Sequence, residues 1–374
     1  MDFKTYLITG GAGFIGANFV KYLNANRDVD KVRLIVLDAL TYAGNLATIA
    51  NDIDKKNVHF VHGDIANVEL VKDVFDKYNP NYVINFAAES HVDRSITHAR
   101  DFVMTNVVGT QTLLQQANES WQGDERKCNR FLQVSTDEVY GSLTKDFDEP
   151  VFVIETESGR EIRTYGKTYF TEVLPLAARS PYSASKAAAD MMALAYKDTF
   201  DLPVVITRCS NNYGPYQFPE KLIPLIINNL REGKELPIYG KGANVRDWLF
   251  VEDHVRAIYT VLHKGRTGEI YNVGGSNELD NLSLVRSIID VYAEFTGTEP
   301  RHDLLRFVAD RPGHDMRYAI DSTKLRKELG WYPQTTFEKG IRDTIKWYLD
   351  NTEWIDSVIS GEYRNYYSQM YDNR

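Results

Sequence analysis

The sequence predicts an α/β protein in which a doubly wound parallel sheet is followed by a smaller, mixed α/β unit. Three observations carry that expectation. Short apolar runs alternate with helical periodicity through residues 6–86, a glycine-rich turn separates the first run from the first helical stretch, and beyond Cys209 proline and glycine become the dominant punctuation. Residues 6–8 (Tyr-Leu-Ile) are apolar throughout, as a strand covered on both faces must be, and residues 15–23 follow with helical spacing. Residues 34–37, 58–61 and 82–86 repeat the strand signature, with a helical stretch at 68–78 between the last two. Further strands are expected at 131–135 and 204–207. The stretch 211–215 (Asn-Asn-Tyr-Gly-Pro), then Pro219, Pro224, Pro237 and Gly240, suit a more irregular unit that carries specificity. The implied division is residues 1–209 with return segments near 245–276, a second domain from 210–244 and 277–330, and a C-terminal helical segment at 331–374.

Composition narrows the function. The 374 residues are 43% hydrophobic and 25% charged, enough for a sizeable core, and the net charge of -9 argues against a nucleic-acid partner, which needs a basic face. Any anionic ligand must therefore be met by local arginines. Cys128 and Cys209 are the two thiols and show no Cys-x-x-Cys spacing, so neither a disulfide framework nor a zinc site is expected. The N-terminus enters a strand without signal-peptide character, and no apolar run reaches the roughly 18 residues needed to span a bilayer. The expectation is a soluble, cytoplasmic protein with no membrane partner and no resident metal.

Residues 10–16 (Gly-Gly-Ala-Gly-Phe-Ile-Gly) fit G-x-G-x-x-G through Gly11, Gly13 and Gly16, and G-x-x-G-x-x-G through Gly10, Gly13 and Gly16. A strand precedes, a helix follows, and Asp38 ends the next strand at the spacing of a Rossmann-type dinucleotide site. Side chains on these glycines would hold the backbone N–H groups away from a pyrophosphate. Asp38 would accept from ribose hydroxyls and repel a 2′-phosphate, so NAD is favoured over NADP. The competing reading is a glycine turn without ligand. Asp64 closes the third strand, where it meets the adenine edge together with the Ile65 amide or else caps the next helix. His59 and His62 face opposite sides of a strand, which argues against joint metal ligation.

Chemistry is carried by residues 135–141 (Ser-Thr-Asp-Glu-Val-Tyr-Gly) and by Tyr182 and Lys186, which share one face of an alanine-rich helix. Moving hydride alone needs a hydroxyl, a phenol and an ammonium, here Thr136, Tyr182 and Lys186. The adjacent carboxylates Asp137 and Glu138 imply a second reaction in which one donates a proton and the other accepts one, as in elimination of water beside a carbonyl. Lys186 and an oxidised nicotinamide are expected to bring the Tyr182 phenol down from its usual range near 10. Because neighbouring strand residues point to opposite faces, the two carboxylates serve one substrate only where the strand has given way to a turn. The competing readings are a plain helix-surface pair for Tyr182 and Lys186, and two solvated carboxylates for the dyad. Arg246 and Arg311 are the candidate diphosphate cations, against a local ion pair between Arg246 and Asp247.

Residues 9–16 together with Tyr182 and Lys186 resemble the extended short-chain dehydrogenase/reductase superfamily. Residues 87–95, 136–138, 211–215, 218–224, 246–248 and 310–314 are similar more narrowly to its dTDP-glucose 4,6-dehydratase family, whereas plain sugar-nucleotide epimerases carry no Asp-Glu dyad. The resemblance implies a nucleoside-diphosphate glucose substrate, retained NAD and a homodimer formed through residues 105–117 and the helix from Tyr182. It implies cofactor contacts at Gly10, Gly13, Phe14, Ile15, Gly16, Asp38, Asp64, Ile65, Ala87, Ala88, Tyr182, Lys186 and Asn212. Substrate contacts are implied at Ser90, His91, Asn211, Lys221, Leu222, Pro237, Tyr239, Arg246, Asn281, Arg311 and His314. A UDP-glucose 4,6-dehydratase, another nucleotide-sugar epimerase or decarboxylase, and a non-catalytic NAD sensor are the alternatives. Nothing in the motifs separates dTDP from UDP; the resemblance alone selects dTDP. Residues 143–180 are longer than that family's pattern leads one to expect and should extend a loop near the cleft.

Overall fold

The computed structural model describes residues 3–359 apart from residues 29, 145–151, 156–160, 167 and 311–312. The chain opens with β1 (Lys4–Thr9), α1 (Phe14–Asn26), β2 (Val32–Asp38), β3 (Val58–His62), α2 (Val68–Tyr78) and β4 (Tyr82–Asn85). After short turns and the π-helical Val103–Gly109, it continues through α3 (Thr110–Ser120), β5 (Arg130–Thr136), the hairpin strands β6 (Phe152–Glu155) and β7 (Glu161–Thr164), α4 (Pro181–Phe200), β8 (Val204–Cys209) and β9 (Asn211–Tyr213). The remainder is α5 (Leu222–Glu232), β10 (Leu236–Tyr239), β11 (Val245–Phe250), α6 (Val251–Lys264), β12 (Ile270–Val273), β13 (Glu278–Asp280), α7 (Asn281–Thr296), β14 (Leu305–Val308), α8 (Thr323–Leu329), α9 (Phe337–Asp350) and α10 (Thr352–Val358).

Seven parallel strands form the main sheet in the order β12-β8-β5-β4-β1-β2-β3. Its central strands β1, β2 and β4 are largely apolar without alternation because both faces are covered, whereas the edge strand β3 is only partly buried. Leu34 and Val36 pack with α1 and α6 on one side, and Ile35 and Leu37 with α2, α3 and α4 on the other. A third cluster gathers Tyr213, Trp248 and Phe250 against α5, α7 and α9. Here β9 pairs parallel and β13 antiparallel with β11, while β10 pairs with β14. Among the described residues no helix is long and apolar enough to cross a membrane.

The stretch 143–180 departs from the expected loop. Strands β6 and β7 pair antiparallel from Phe152↔Thr164 to Glu155↔Glu161. The flanks of this hairpin are pinned to the segment 317–321: Leu143 N donates to Arg317 O at 3.0 Å, Phe170 N to Ala319 O at 2.8 Å and Asp321 N to Phe170 O at 2.9 Å. Paired backbone groups on both sides give the insertion a fixed root against residues 317–321.

Two local devices position chemistry. Thr136 ends β5 and accepts from Glu138 N at 3.3 Å, so the strand breaks into a 3-10 turn over Asp137–Tyr140. That is the turn the dyad requires. Ser180 and Ser183 cap α4 reciprocally around Pro181, with Ser183 N donating to Ser180 Oγ at 3.0 Å, which sets Tyr182 and Lys186 on the first turns of the helix.

Candidate active site

A cavity of about 320 Å³ lies at the carboxyl ends of the main strands, where the strand order reverses between β1 and β4. Asp38, Thr136 and Cys209, the last residues of β2, β5 and β8, line it. Gly10 adopts φ +65°, and a Cβ there would stand 2.7 Å from Ala87 N; at Gly16 it would stand 2.3 Å from Gly10 O. Gly13 differs, since an added Cβ would meet only Gly10 O, at 3.3 Å. Gly13 is bare toward the cavity at the start of α1, the arrangement that admits a pyrophosphate to a helix N-terminus.

Asp38 Oδ2 accepts from Ala12 N at 2.9 Å and Oδ1 from Leu40 N at 2.8 Å. Burial raises its pKa while these two amides act in the opposite direction. Asp64 accepts from Ala66 N at 2.8 Å, and the following helix is capped instead by Asn67, which accepts from Leu70 N at 3.1 Å. The capping alternative for Asp64 is thereby removed; Asp64 and Ile65 line the cavity. Loop 86–91 is fixed from beneath by Asn106, which accepts from Glu89 N at 2.9 Å and donates to Ser185 Oγ at 2.8 Å, tying the loop to α4.

At the opposite end stand Thr136, Glu138, Tyr182 and Lys186. Lys186 Nζ donates to Val134 O at 2.6 Å and is buried, which lowers its pKa. Tyr182 departs from expectation: burial first, then the Glu138 charge, push its phenol well above 10, with a Thr136 hydrogen bond acting the other way. Enclosure beside a carboxylate outweighs any help from the Lys186 ammonium, which is itself buried and donates to the Val134 carbonyl. Asp137 is 2% exposed, and burial, then Glu138, then Asp247 raise its pKa well above the usual 3.8, opposed by Arg246. Its Oδ1 accepts from Thr136 Oγ1 at 3.4 Å, whereas Oδ2 is buried with no hydrogen-bond partner among the described groups. This surrounding favours the neutral acid.

Of the residues singled out from sequence, Gly10, Gly13, Phe14, Ile15, Gly16, Asp38, Asp64, Ile65, Ala87, Ala88, Ser90, Thr136, Glu138, Tyr182, Lys186, Asn211, Asn212 and Lys221 line this one cavity. Lys221 Nζ donates to Ser90 O at 3.0 Å. Asp137, His91, Leu222, Pro237, Tyr239, Arg246, Asn281 and His314 are outside that lining. Arg246 is buried, donating to Val245 O at 2.8 Å and Asp315 O at 2.9 Å with its guanidinium 4.2 Å from the Tyr318 ring centre. Asp247 accepts from Gly275 N at 2.8 Å and Asn277 N at 2.7 Å. Tyr239 donates to Asp93 at 3.3 Å, and the His314 ring nitrogen Nδ1 lies 2.6 Å from Asp310. Arg311 falls outside the described residues. His59 packs on Tyr78 with ring centres 5.7 Å apart and His62 contacts Ala39 O at 3.2 Å.

Sequence reasoning passed over Glu89, Thr105, Cys209, Gln217, Phe218 and Glu220, which line the same cavity. Glu89, Phe218 and Glu220 lie inside motifs already singled out. Thr105 sits in the π-helical turn, where no residue spacing marks it.

Comparison with known proteins agrees with this geometry. The family model described as the NAD dependent epimerase/dehydratase family matches residues 6–274. The chain is 48% identical over 372 residues to dTDP-glucose 4,6-dehydratase 1 of Escherichia coli (strain K12), covering 98% of this chain and 99% of that one. It is 50% identical over 366 residues to dTDP-glucose 4,6-dehydratase of Xanthomonas campestris pv. campestris (strain B100), covering 96% and 97%. Among solved structures, dTDP-glucose 4,6-dehydratase of Streptomyces venezuelae with NAD bound superposes with a TM-score of 0.82 at 45% identity, covering 95% of this chain and 99% of that one. UDP-glucose 4-epimerase of Thermotoga maritima reaches 0.74 at 25% identity, covering 93% and 99%. A family model over more than half of the residues and 48% identity over nearly the full length lead to one conclusion: the chain belongs to the NAD-dependent epimerase/dehydratase family.

Proposed function

We propose that this chain dehydrates dTDP-glucose to dTDP-4-keto-6-deoxyglucose as an NAD-dependent nucleotide-sugar 4,6-dehydratase. The observation that carries this reading is the dyad at the break of β5: Glu138 faces the cavity beside Tyr182, while its neighbour Asp137 is buried in surroundings that favour its protonated form. An epimerase has no use for that pair. The high identity to dehydratases against that to an epimerase supports the same choice.

NAD fits the bare Gly13 cradle and Asp38, and when bound it supplies a hydride acceptor for C4 that later returns the same hydride to C6. The remaining work belongs to the protein. Enclosure and the Glu138 charge hold the Tyr182 phenol protonated, so it would take the proton from the sugar 4-hydroxyl, which Thr136 holds in line, only with the positive charge of an oxidised nicotinamide beside it. The resulting ketone acidifies C5–H, and Glu138 removes that proton. Asp137, reached through Thr136, protonates the departing C6 hydroxyl, so water leaves across C5–C6; reprotonation at C5 completes a cycle without net oxidation. Asn211 and Lys221 meet the sugar nucleotide on the cavity wall, and Arg246 supplies charge to its diphosphate. The two free thiols, Cys128 exposed and Cys209 buried, suit a reducing cytoplasm. Val103, Met104 and Met191, exposed on the 103–120 segment and α4, support a homodimer through these helices.

The test is product analysis in D2O with dTDP-glucose and UDP-glucose. A C6 methyl signal, deuterium at C5 and no accumulating NADH are expected, with faster turnover of the dTDP sugar. Glu138→Gln should retain C4 oxidation and lose elimination. Normal product formation by that variant, or no conversion of either sugar by the wild type, overturns the reading.

A further inference from the structure

His254 is fully buried on the first turn of α6, in no motif that the chemistry above uses. Strand β11 pairs with β9 so that Leu249 lies opposite Asn212, and the chain turns from β11 directly into α6, which brings the imidazole over the Asn212 side chain. His254 Nδ1 is 2.8 Å from Asn212 Oδ1. The amide orientation is fixed by its other end, since Asn212 Nδ2 donates to Ser210 O at 2.9 Å and to Cys209 Sγ at 3.4 Å. An amide oxygen only accepts, so Nδ1 carries the imidazole proton and Nε2 the bare lone pair. That Nε2 is buried with no hydrogen-bond partner among the described groups. A leucine at 254 would fill the space without an orphaned acceptor, so packing alone does not account for a histidine. Burial also lowers the pKa of the ring to about 3, which keeps it neutral at working pH.

Asn212 belongs to the cavity wall with Cys209 and Ser210, at the end that holds Tyr182 and Lys186. Gln217 Nε2 donates to the Asn212 main-chain carbonyl at 2.9 Å. We infer that His254 is a positioning residue whose Nδ1–H locks the Asn212 carboxamide against the nicotinamide end of the bound dinucleotide. The inference rests on the dehydratase reading for its purpose. A cofactor that must accept and return one hydride within a single turnover has to keep one pose between the two transfers, and a wall residue free to rotate would let it drift.

The experiment compares His254→Leu and His254→Gln with the wild type. In the leucine variant, NAD is expected to dissociate about tenfold faster, and during turnover of dTDP-glucose, NADH absorbance and a 4-keto-glucose nucleotide should leak out, with KM for the sugar nucleotide unchanged. Thermal stability should equal or exceed that of the wild type. Glutamine, which donates an amide N–H, should restore most of the retention. A folded leucine variant with wild-type NAD dissociation and no leakage overturns the proposal, as does glutamine performing no better than leucine. Should the leucine variant not fold, a cycle of His254→Gln, Asn212→Ala and the double variant replaces it: non-additive NAD dissociation rates support the link, and additive ones overturn it. Because dissociation of NAD is read without any sugar, failure of the dehydratase reading would leave this result standing.

Discussion

At the scale of single residues, the protein sets protonation by enclosure. Asp137 and Glu138 are neighbours with the same functional group, yet one is sealed from solvent and the other opens to the cavity, so an acid and a base stand side by side at one pH. Holding Asp137 neutral has a stability signature. Its folded pKa lies above the ordinary 3.8, so its contribution to stability is fully present below that value and is lost as pH rises through the folded pKa. Asp137→Asn cannot ionise and escapes that loss. Its melting temperature should match the wild type near about pH 4 and exceed it progressively toward neutrality, while dehydration is abolished. Melts across pH check this, and a difference that does not vary with pH would show that ionisation of Asp137 is not disfavoured by the fold.

At the scale of elements, the glycine turn between β1 and α1 separates what the fold needs from what the ligand needs. A side chain at Gly16 would collide with the Gly10 carbonyl at 2.3 Å, whereas a Cβ at Gly13, on the cavity lining, would press on the same carbonyl only at 3.3 Å. Gly16→Val should lower stability by about 1–3 kcal/mol with or without cofactor. Gly13→Val should lower the cofactor-free melting temperature less than Gly16→Val does and erase the stabilisation by NAD, about 2.7 kcal/mol at a hundredfold excess over Kd. Melts with and without NAD distinguish the two, and a Gly13→Val protein still stabilised by NAD would place the pyrophosphate elsewhere. The same distinction explains what was legible in the sequence. The apolar run Leu34–Leu37 inside the buried strand Val32–Asp38 and the periodicity of Val68–Tyr78 make six of the seven sheet strands and this helix legible, whereas the short edge strand Ile270–Val273 carries too brief an apolar run to stand out. The hairpin at 152–164 carries no Asn-Gly or Asp-Gly turn signal and looked like a loop. Thr105, Cys209 and His254 owe their places to contacts between distant segments, and the upward shift of Tyr182 depends on enclosure, neither of which has a linear pattern.

At the scale of the whole molecule, the last helix returns to the loops that border the cavity. Trp354 of α10 donates through Nε1 to Thr48 Oγ1 at 3.2 Å and packs edge-on against Tyr216, ring centres 5.6 Å apart. Val358 closes a small apolar cluster with Phe218, Tyr42 and Ala43. Thr41, Ala43 and Gly44, just beyond Asp38, and Phe218 in the turn after β9 line the cavity itself. A C-terminal helix thus braces both the segment just beyond Asp38, 306 residues upstream at Thr48, and the turn after β9. The exposed ion pair Arg231–Asp356, at 2.6 Å, adds little beside this apolar contact. Trp354→Ala should lower stability by about 1–3 kcal/mol, because the indole is only partly enclosed, and should weaken NAD binding several-fold without altering the relative rates on dTDP-glucose and UDP-glucose. Hydrogen exchange should rise at 40–48 and 213–218 while β1, β4 and β5 stay protected. NAD affinity unchanged in a variant whose exchange has risen at those loops would mean that the brace serves folding alone.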